Sequence, residues 1–231
     1  NLSGAYLRDA DFTGADFTGA DFSNASINRD VDFTGANLSG ADFSNASIGA
    51  AHFINADLAN STFRGARLAG ADFSGANLEN VDFVETIDVS GDFIGANLTD
   101  ADFTRSAFRY AVFTDAILDG TNFSHALASG FGTAVIFGGA DLRQAIFTGE
   151  RNGPLGRADL RDVDLRGVDL SEFDFRQSSL EGANLSGANL TNAAINGTLR
   201  NADLNAANLT GIDLSNADLT GTDLSGANLN G

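Results

Sequence analysis

The chain of 231 residues contains no cysteine, methionine, tryptophan or lysine, and only one proline. Without cysteine there is no disulfide, no thiol nucleophile and no thiolate metal site, and composition carries no mark of the redox compartment. Without lysine there is no Schiff-base chemistry. No window approaches the roughly 18 consecutive apolar residues of a membrane span, and no charged segment followed by an apolar one marks a signal peptide. Positive charge is also scarce: 13 basic residues, all Arg, face 31 acidic ones, for a net charge of −18. That balance repels phosphate instead of releasing its counterions, so it argues against direct binding of nucleic acid or an anionic membrane and favours a basic protein partner.

What is present in abundance is a repeat. In ADFTGADFTGADFSNA, from Ala10 to Ala25, Asp-Phe returns every five residues. The large apolar centres run Leu2, Leu7, Phe12, Phe17, Phe22 and Ile27, slip by one to Phe33, and continue every fifth residue to Phe83. Asp88 then occupies a centre, where Ile87 or Val89 is expected to turn inward, before Phe93 restores the phase to Phe123. The segment Ser124 to Ile136 is irregular, and TGERNGP separates Phe147 from Leu155. The phase then holds from Leu160 to Ile195, loses one residue before Leu199, and runs to Leu229.

Ahead of each centre come a small residue and then Asp or Asn; after it come Ser or Thr and then Gly or Asn. This A-(D/N)-(L/F)-(S/T)-(G/N) pattern closely resembles the pentapeptide repeat family. The resemblance implies an all-β right-handed quadrilateral parallel β-helix, a solenoid in which four fives make one square coil. The residues agree: inward positions two apart share one face of an extended segment. Gly or Asn at the fifth position suits a corner of positive φ. Dividing 1–231 evenly gives a single β-helical domain of about 11 to 12 coils, roughly 55 Å long at about 4.8 Å per coil, with an irregular coil near 124–136 and a loop near 148–154. Between Phe33 and Phe83 Phe alternates with Leu or Ile, which stacks Phe on two opposite sides; after Phe147 the centres become mostly Leu.

Folding the sequence into four sides sorts the outward Asp residues. The side that begins with Asp21 receives Asp42, Asp82, Asp102, Asp141, Asp164, Asp203 and Asp223, and the opposite side receives Asp11, Asp32, Asp72, Asp92, Asp174 and Asp213. The side of Tyr6, Ser26, Ser47 and Arg67 holds only Asp169, and the remaining side holds Asp16, Asp57, Asp159 and Asp218. Beyond residue 123 this assignment assumes that Ser124 to Ile136 supplies two sides. Residues 1–123 carry 18 acidic residues and 6 Arg, while 124–231 carry 13 and 7. Arg143, Arg151, Arg157, Arg161, Arg166 and Arg176 form a mixed-charge belt around TGERNGP.

Nothing in this pattern is built for catalysis, and no enzyme activity or cofactor is expected. Acid–base chemistry with paired carboxylates needs a cleft that gives the two groups different environments, and a filled square rod has none. His52 and His125, the only histidines, read as solvated or structural. Calcium-binding loop spacings are missing, so no metal site is expected. Two readings follow. The first is a structural spacer or protein-interaction scaffold. The second comes from the resemblance: pentapeptide proteins of the quinolone-resistance type mimic DNA and engage DNA gyrase or topoisomerase IV.

Under either reading the candidate acidic surface is Asp21, Asp42, Asp82 and Asp102 with Asp11, Asp32, Asp72 and Asp92, and the candidate loop contact is Glu150, Arg151 and Asn152. The partner is a protein of basic character. A chain that starts at Asn1 in mid-repeat and ends in repeat points to a fragment of a longer chain, to attached domains, or to end-to-end self-association.

Overall fold

The computed structural model describes residues 1–28, 30–128, 135–147 and 154–230. Its local unit is a bridge followed by a tight turn. In the first five of the quoted stretch, Ala15 N–H donates to Phe12 C=O at 3.0 Å, and Gly14 sits at φ 65°. A positive φ at the third turn residue is cheap for Gly and tolerable for Asn, which takes the place at Asn24 and Asn45. Ala10 and Phe12 flank Asp11 and point inward, while Asp11 points out.

The turns bend the chain through a square, so each side lies under the same side of the next coil. Phe12 N–H donates to Asp32 C=O at 2.7 Å, Asp32 N–H to Ala10 C=O at 2.9 Å, and Gly14 N–H to Thr34 C=O at 2.9 Å. The ladder thus satisfies backbone groups that the square path leaves without partners in their own coil. On the Tyr6 side the pairing widens into strands β1 (Tyr6–Arg8), β2 (Ser26–Asn28), β3 (Ser47–Gly49) and β4 (Arg67–Ala69), parallel and in the order β1-β2-β3-β4. Two shorter pairs follow, β5 (Ala107–Phe108) with β6 (Leu127–Ala128) and β7 (Val135–Ile136) with β8 (Ala158–Asp159), and a single 3-10 turn spans Pro154–Arg157. The four-sided parallel β-helix expected from the repeat is the observed fold.

The bridges define four columns of outward residues. One unbroken series runs from Asp16 through Asn97, Asp141 and Asn184 to Asp223 in eleven rungs, while the Asp21 side shows seven rungs to Ile146 and four more from Asp169 to Asn228. Eleven rungs accord with the 11 to 12 coils expected, although the coils differ in length. A rung takes 19 residues from Asn184 to Asp203, 21 from Asp11 to Asp32 and 24 from Val112 to Ile136.

Inside, Phe stacks on Phe. Phe33, Phe53, Phe73, Phe93 and Phe113 follow one another at 4.9 to 5.1 Å with planes within 11°. Phe22, Phe43 and Phe63 do the same on the opposite side at 4.7 to 4.8 Å. The two ladders meet edge to face, as between Phe43 and Phe53 at 5.8 Å and 90°. Offset stacking along the axis and T-shaped contact across it are both favourable arrangements for aromatic quadrupoles. In later coils Leu165, Leu185 and Leu204 are the buried centres, and Phe173 and Phe175 stack at 5.8 Å.

Where the phase breaks, the structure shows why. Val89 turns inward and is fully buried, while Ile87 stays half exposed and Asp88 points out with φ 54°. The chain re-enters the helix through Gly91, where an added Cβ would sit 2.5 Å from the Ala71 carbonyl oxygen. The single-residue loss before Leu199 has a similar device: a Cβ on Gly197 would lie 2.7 Å from the Ser178 carbonyl oxygen.

Two predictions follow from this packing. Phe53→Ala or Phe73→Ala lowers stability to chemical denaturation by about 3–5 kcal/mol, whereas Phe53→Leu, which imports the later coils' residue, loses about 1 kcal/mol. Gly91→Ala loses about 1–3 kcal/mol by steric overlap with backbone, and a wild-type unfolding midpoint for that variant would contradict the close approach.

Candidate protein-interaction surface

The outward Asp residues first serve the turns. Asp16 Oδ1 accepts from Thr18 N–H at 3.0 Å and from the Thr18 hydroxyl at 2.7 Å, and Asp21 does the same with Ser23 at 3.0 and 2.7 Å. Asn37, Asn97 and Asn208 cap their turns through the same oxygen, so capping requires the acceptor rather than the charge. These bonds favour the ionised carboxyl. The Thr18 hydroxyl, then its backbone N–H, hold Asp16 below the ordinary carboxylate range, and Ser23 and Ser215 do so for Asp21 and Asp213. Asp92 is the exception: burial first, and the charge of Asp72 second, push it up.

Coil stacking gathers the candidate residues as two columns. Asp11, Asp32, His52, Asp72 and Asp92 are successive rungs of one side, and Asp21, Asp42, Thr62, Asp82 and Asp102 of the opposite one. His52 stands between Asp32 and Asp72, with Nε2 4.0 Å from an Asp30 oxygen. Among the described residues Arg64 reaches Asp82 at 3.5 Å, and no other guanidinium pairs with the eight candidate carboxylates. Arg67 and Arg109 instead converge on Asp88 at 2.7 and 3.5 Å, clamping the out-of-phase residue in place.

Beyond residue 123 the faces differ from the sequence-based assignment. Leu127 pairs with Ala107 on the Tyr6 side, and Ile136 with Val112 on the Asp11 side. Between those two pairings the segment Ser124 to Ile136 supplies one side rather than two, so every later face is rotated by a quarter turn. Asp141, Asp164, Asp203 and Asp223 continue the column of Asp16 and Asp57, not that of Asp21. Asp159 is joined to the Asp11 column through Ile136, and Asp213 shares its column with Asp174 through Ala194. Acidity is therefore concentrated on two opposite faces only in the N-terminal coils, where Asp16 and Asp57 stand on a third.

Four of the later acids are also neutralised locally. Arg161 and Arg166 fork onto Asp159 and Asp164 two residues back with Nε–Oδ1 distances of 2.8 and 2.9 Å, and Arg143 and Arg176 pair with Asp141 and Asp174 in the same way. The spacing D-x-R was visible in the sequence, but its meaning depends on the turn, which folds residue i+2 back over residue i. Glu150, Arg151 and Asn152 lie outside the described residues.

Among the described residues no group of three or more His, Asp or Glu side chains is arranged to hold a metal ion, and no helix is long and apolar enough to cross a membrane. The surface depressions are open grooves, such as that bordered by Tyr6, Ser26, Gly49 and Ala69.

The capping bonds predict an acid limit to stability. A carboxyl whose folded pKa is depressed contributes stability above its unfolded value, and that contribution disappears as pH falls through the folded pKa. Melting temperature is therefore expected to drop below about pH 4, with Asp16→Asn, which keeps the acceptor, showing a smaller drop than the wild type and Asp16→Ala destabilised at neutral pH as well. Equal pH profiles for the wild type and Asp16→Asn would remove Asp16 from this account.

Two sequence profiles, both described as pentapeptide repeats, match the chain: one of 8 copies at residues 49–87, 92–127, 158–197 and 199–231, and one of 9 copies at residues 2–47. No curated protein matches it. Among solved structures, the chain is similar to HetL, a pentapeptide repeat protein involved in heterocyst differentiation regulation from the cyanobacterium Nostoc sp. strain PCC 7120. The identity is 27%, over 98% of this chain and 88% of that one, with a TM-score of 0.45. A pentapeptide repeat protein from the Arabidopsis thaliana thylakoid lumen is 30% identical over 47% of this chain and 68% of its own, with a TM-score of 0.28. QnrB1, a plasmid-mediated fluoroquinolone resistance protein, is 19% identical over 96% of this chain and 92% of its own, with a TM-score of 0.38. With the profiles matching most of its length and the coil geometry of the fives on the page, the chain belongs to the pentapeptide repeat family.

Proposed function

We propose that the protein is a non-enzymatic acidic rod, a spacer or protein-interaction scaffold whose N-terminal coils present two opposite Asp columns to a basic protein partner. The observation that carries this reading is the contrast along the axis. Asp141, Asp159, Asp164 and Asp174 are each paired with an Arg, while of the eight N-terminal column residues only Asp82 meets one among the described residues. Turn capping occupies Oδ1 of Asp11, Asp32 and Asp72 and leaves Oδ2 outside the turn, available to a cation. Exposed carboxylate pairs contribute only about 0.2–1 kcal/mol each, so such columns set specificity and association rate more than affinity.

The DNA-mimicking reading keeps one supporting observation, the placement of acid on opposite faces of a narrow rod. Its charge density weakens it: −18 over a rod of about 55 Å is one net charge per roughly 3 Å, against about 1.7 Å for duplex DNA.

The variant Asp32→Asn/Asp72→Asn/Asp92→Asn separates the readings, because it removes charge from one column while keeping the capping acceptors at 32 and 72. Proteins captured by the wild-type rod are expected to be lost with this variant at unchanged melting temperature, and identical capture by both rods would defeat the acidic-surface reading. In a gyrase supercoiling assay micromolar wild-type protein is expected to leave activity unchanged. Inhibition that disappears with the variant would shift the conclusion to DNA mimicry.

A further inference from the structure

Outward positions along the rod mostly carry Asp, Asn, Ser or Thr, but two successive coils depart from this. Ala107, Val112, Ile117, Leu127, Ile136 and Ile146 fill six of the eight outward positions from 107 to 146, joined coil to coil by Ala107 with Leu127 and Val112 with Ile136. Ile117, Leu127 and Ile146, one on each of three faces, are 42–51% exposed, Val112 and Ile136 on the fourth are partly exposed, and Tyr110, in the turn before Val112, is 54% exposed. This apolar collar does not serve the isolated coil. A Val or Ile at the outward position has no oxygen with which to cap the turn N–H two residues on, so the exchange loses local hydrogen bonds and leaves apolar surface in water.

The Asp11 face crosses the collar at Val112 and Ile136, with Ile94 exposed at the turn one coil earlier. On one side of this crossing lie Asp72 and Asp92; on the other lies Asp159 with the exposed guanidinium of Arg161. We infer that this face docks a second copy of the chain in antiparallel orientation, Val112 and Ile136 of each copy packing against Ile136 and Val112 of the other.

Charge selects the orientation. On this face the N-terminal side of the crossing carries Asp72 and Asp92, neither paired with an Arg among the described residues, whereas the other side carries Asp159 with Arg161 forked onto it. Parallel packing sets the N-terminal side against itself. Antiparallel packing brings it against the other side, with Asp92 opposite Arg161 of the second copy. Among the described residues no Arg pairs with Asp92, and burial, then the charge of Asp72, raises its proton affinity. The inference shares Asp72 and Asp92 with the acidic-column reading but rests on the collar, and Val112→Asp/Ile136→Asp leaves both carboxylates in place, so the failure of one reading is distinguishable from the failure of the other.

Sedimentation equilibrium of the chain is expected to show a dimer with a dissociation constant below about 1 mM. Val112→Asp/Ile136→Asp installs the residue that the repeat places elsewhere at these positions and supplies caps for Thr114 and Gly138 N–H, so folding is retained. Its dissociation constant is expected to rise at least about tenfold with no loss in melting temperature, and Arg161→Glu is expected to weaken association by about tenfold.

Because the chain has no cysteine, orientation is read directly by disulfide trapping. Ser74→Cys mixed with Glu181→Cys is expected to cross-link, and Ser74→Cys alone is not. A wild type that stays monomeric up to about 1 mM, a collar variant that dimerises as tightly as the wild type, or Ser74→Cys linking to itself each overturns the inference. The monomeric result would assign the collar to a different protein.

Discussion

Backbone hydrogen bonds between residues about one coil apart hold this structure, and everything else accommodates them. The ladder sets neighbouring coils about 4.8 Å apart, so side chains on one side of the square stack in columns. For Phe the spacing matches offset stacking, and for Asn it allows amide chains such as Asn228 to Asn208 and Asn208 to Asn189, each at 3.3 Å. For Asp the same spacing is adverse, because like charges in register repel. The columns are broken accordingly: His52 separates Asp32 from Asp72, and Thr62 separates Asp42 from Asp82. Where Asp72 and Asp92 are adjacent, the charge of Asp72 adds to burial in raising the proton affinity of Asp92.

The Asp residue is thus both a local part and a surface group. One oxygen closes the turn that makes the square corner, and the remaining charge faces solvent. The rod divides along its axis through this second property. N-terminal coils combine a Phe core with little compensated acid; C-terminal coils combine a largely Leu core with Asp–Arg forks; the apolar collar lies between them. Since every coil solves the backbone problem in the same way, the outward positions are free to vary, and the surface can change from acidic to apolar to mixed charge without altering the fold.

Much of this was legible in the sequence because the repeat unit equals the geometric unit. The fivefold spacing, the small residue before each centre and Gly or Asn at the turn all report on contacts within a few residues. The phase slip at Asp88 was visible, and the structure selects Val89 for the interior because the chain can return through Gly91 only by pressing its backbone against Ala71. The candidate Asp columns were likewise readable up to residue 123, where each five adds one side. Past that point a segment of irregular spacing gave no count of corners, and one side too many turned every later face by 90°. In the apolar collar Val112 and Ile117 precede the centres Phe113 and Leu118 and are outward by the repeat itself, whereas Ile136, past the irregular segment, is placed outside by its bridge to Val112.

Sequence alone determined the coil grammar: which residue of each five goes in, which caps the turn, and that Phe would stack on Phe, since these follow from side-chain size and backbone preference at short range. The tertiary structure decided which fives lie over one another. That decision belongs to hydrogen bonds between residues 19 to 24 apart, whose spacing is set by each coil's insertions and deletions. A one-side error therefore leaves the local pattern intact while moving every later charge to another face of the rod.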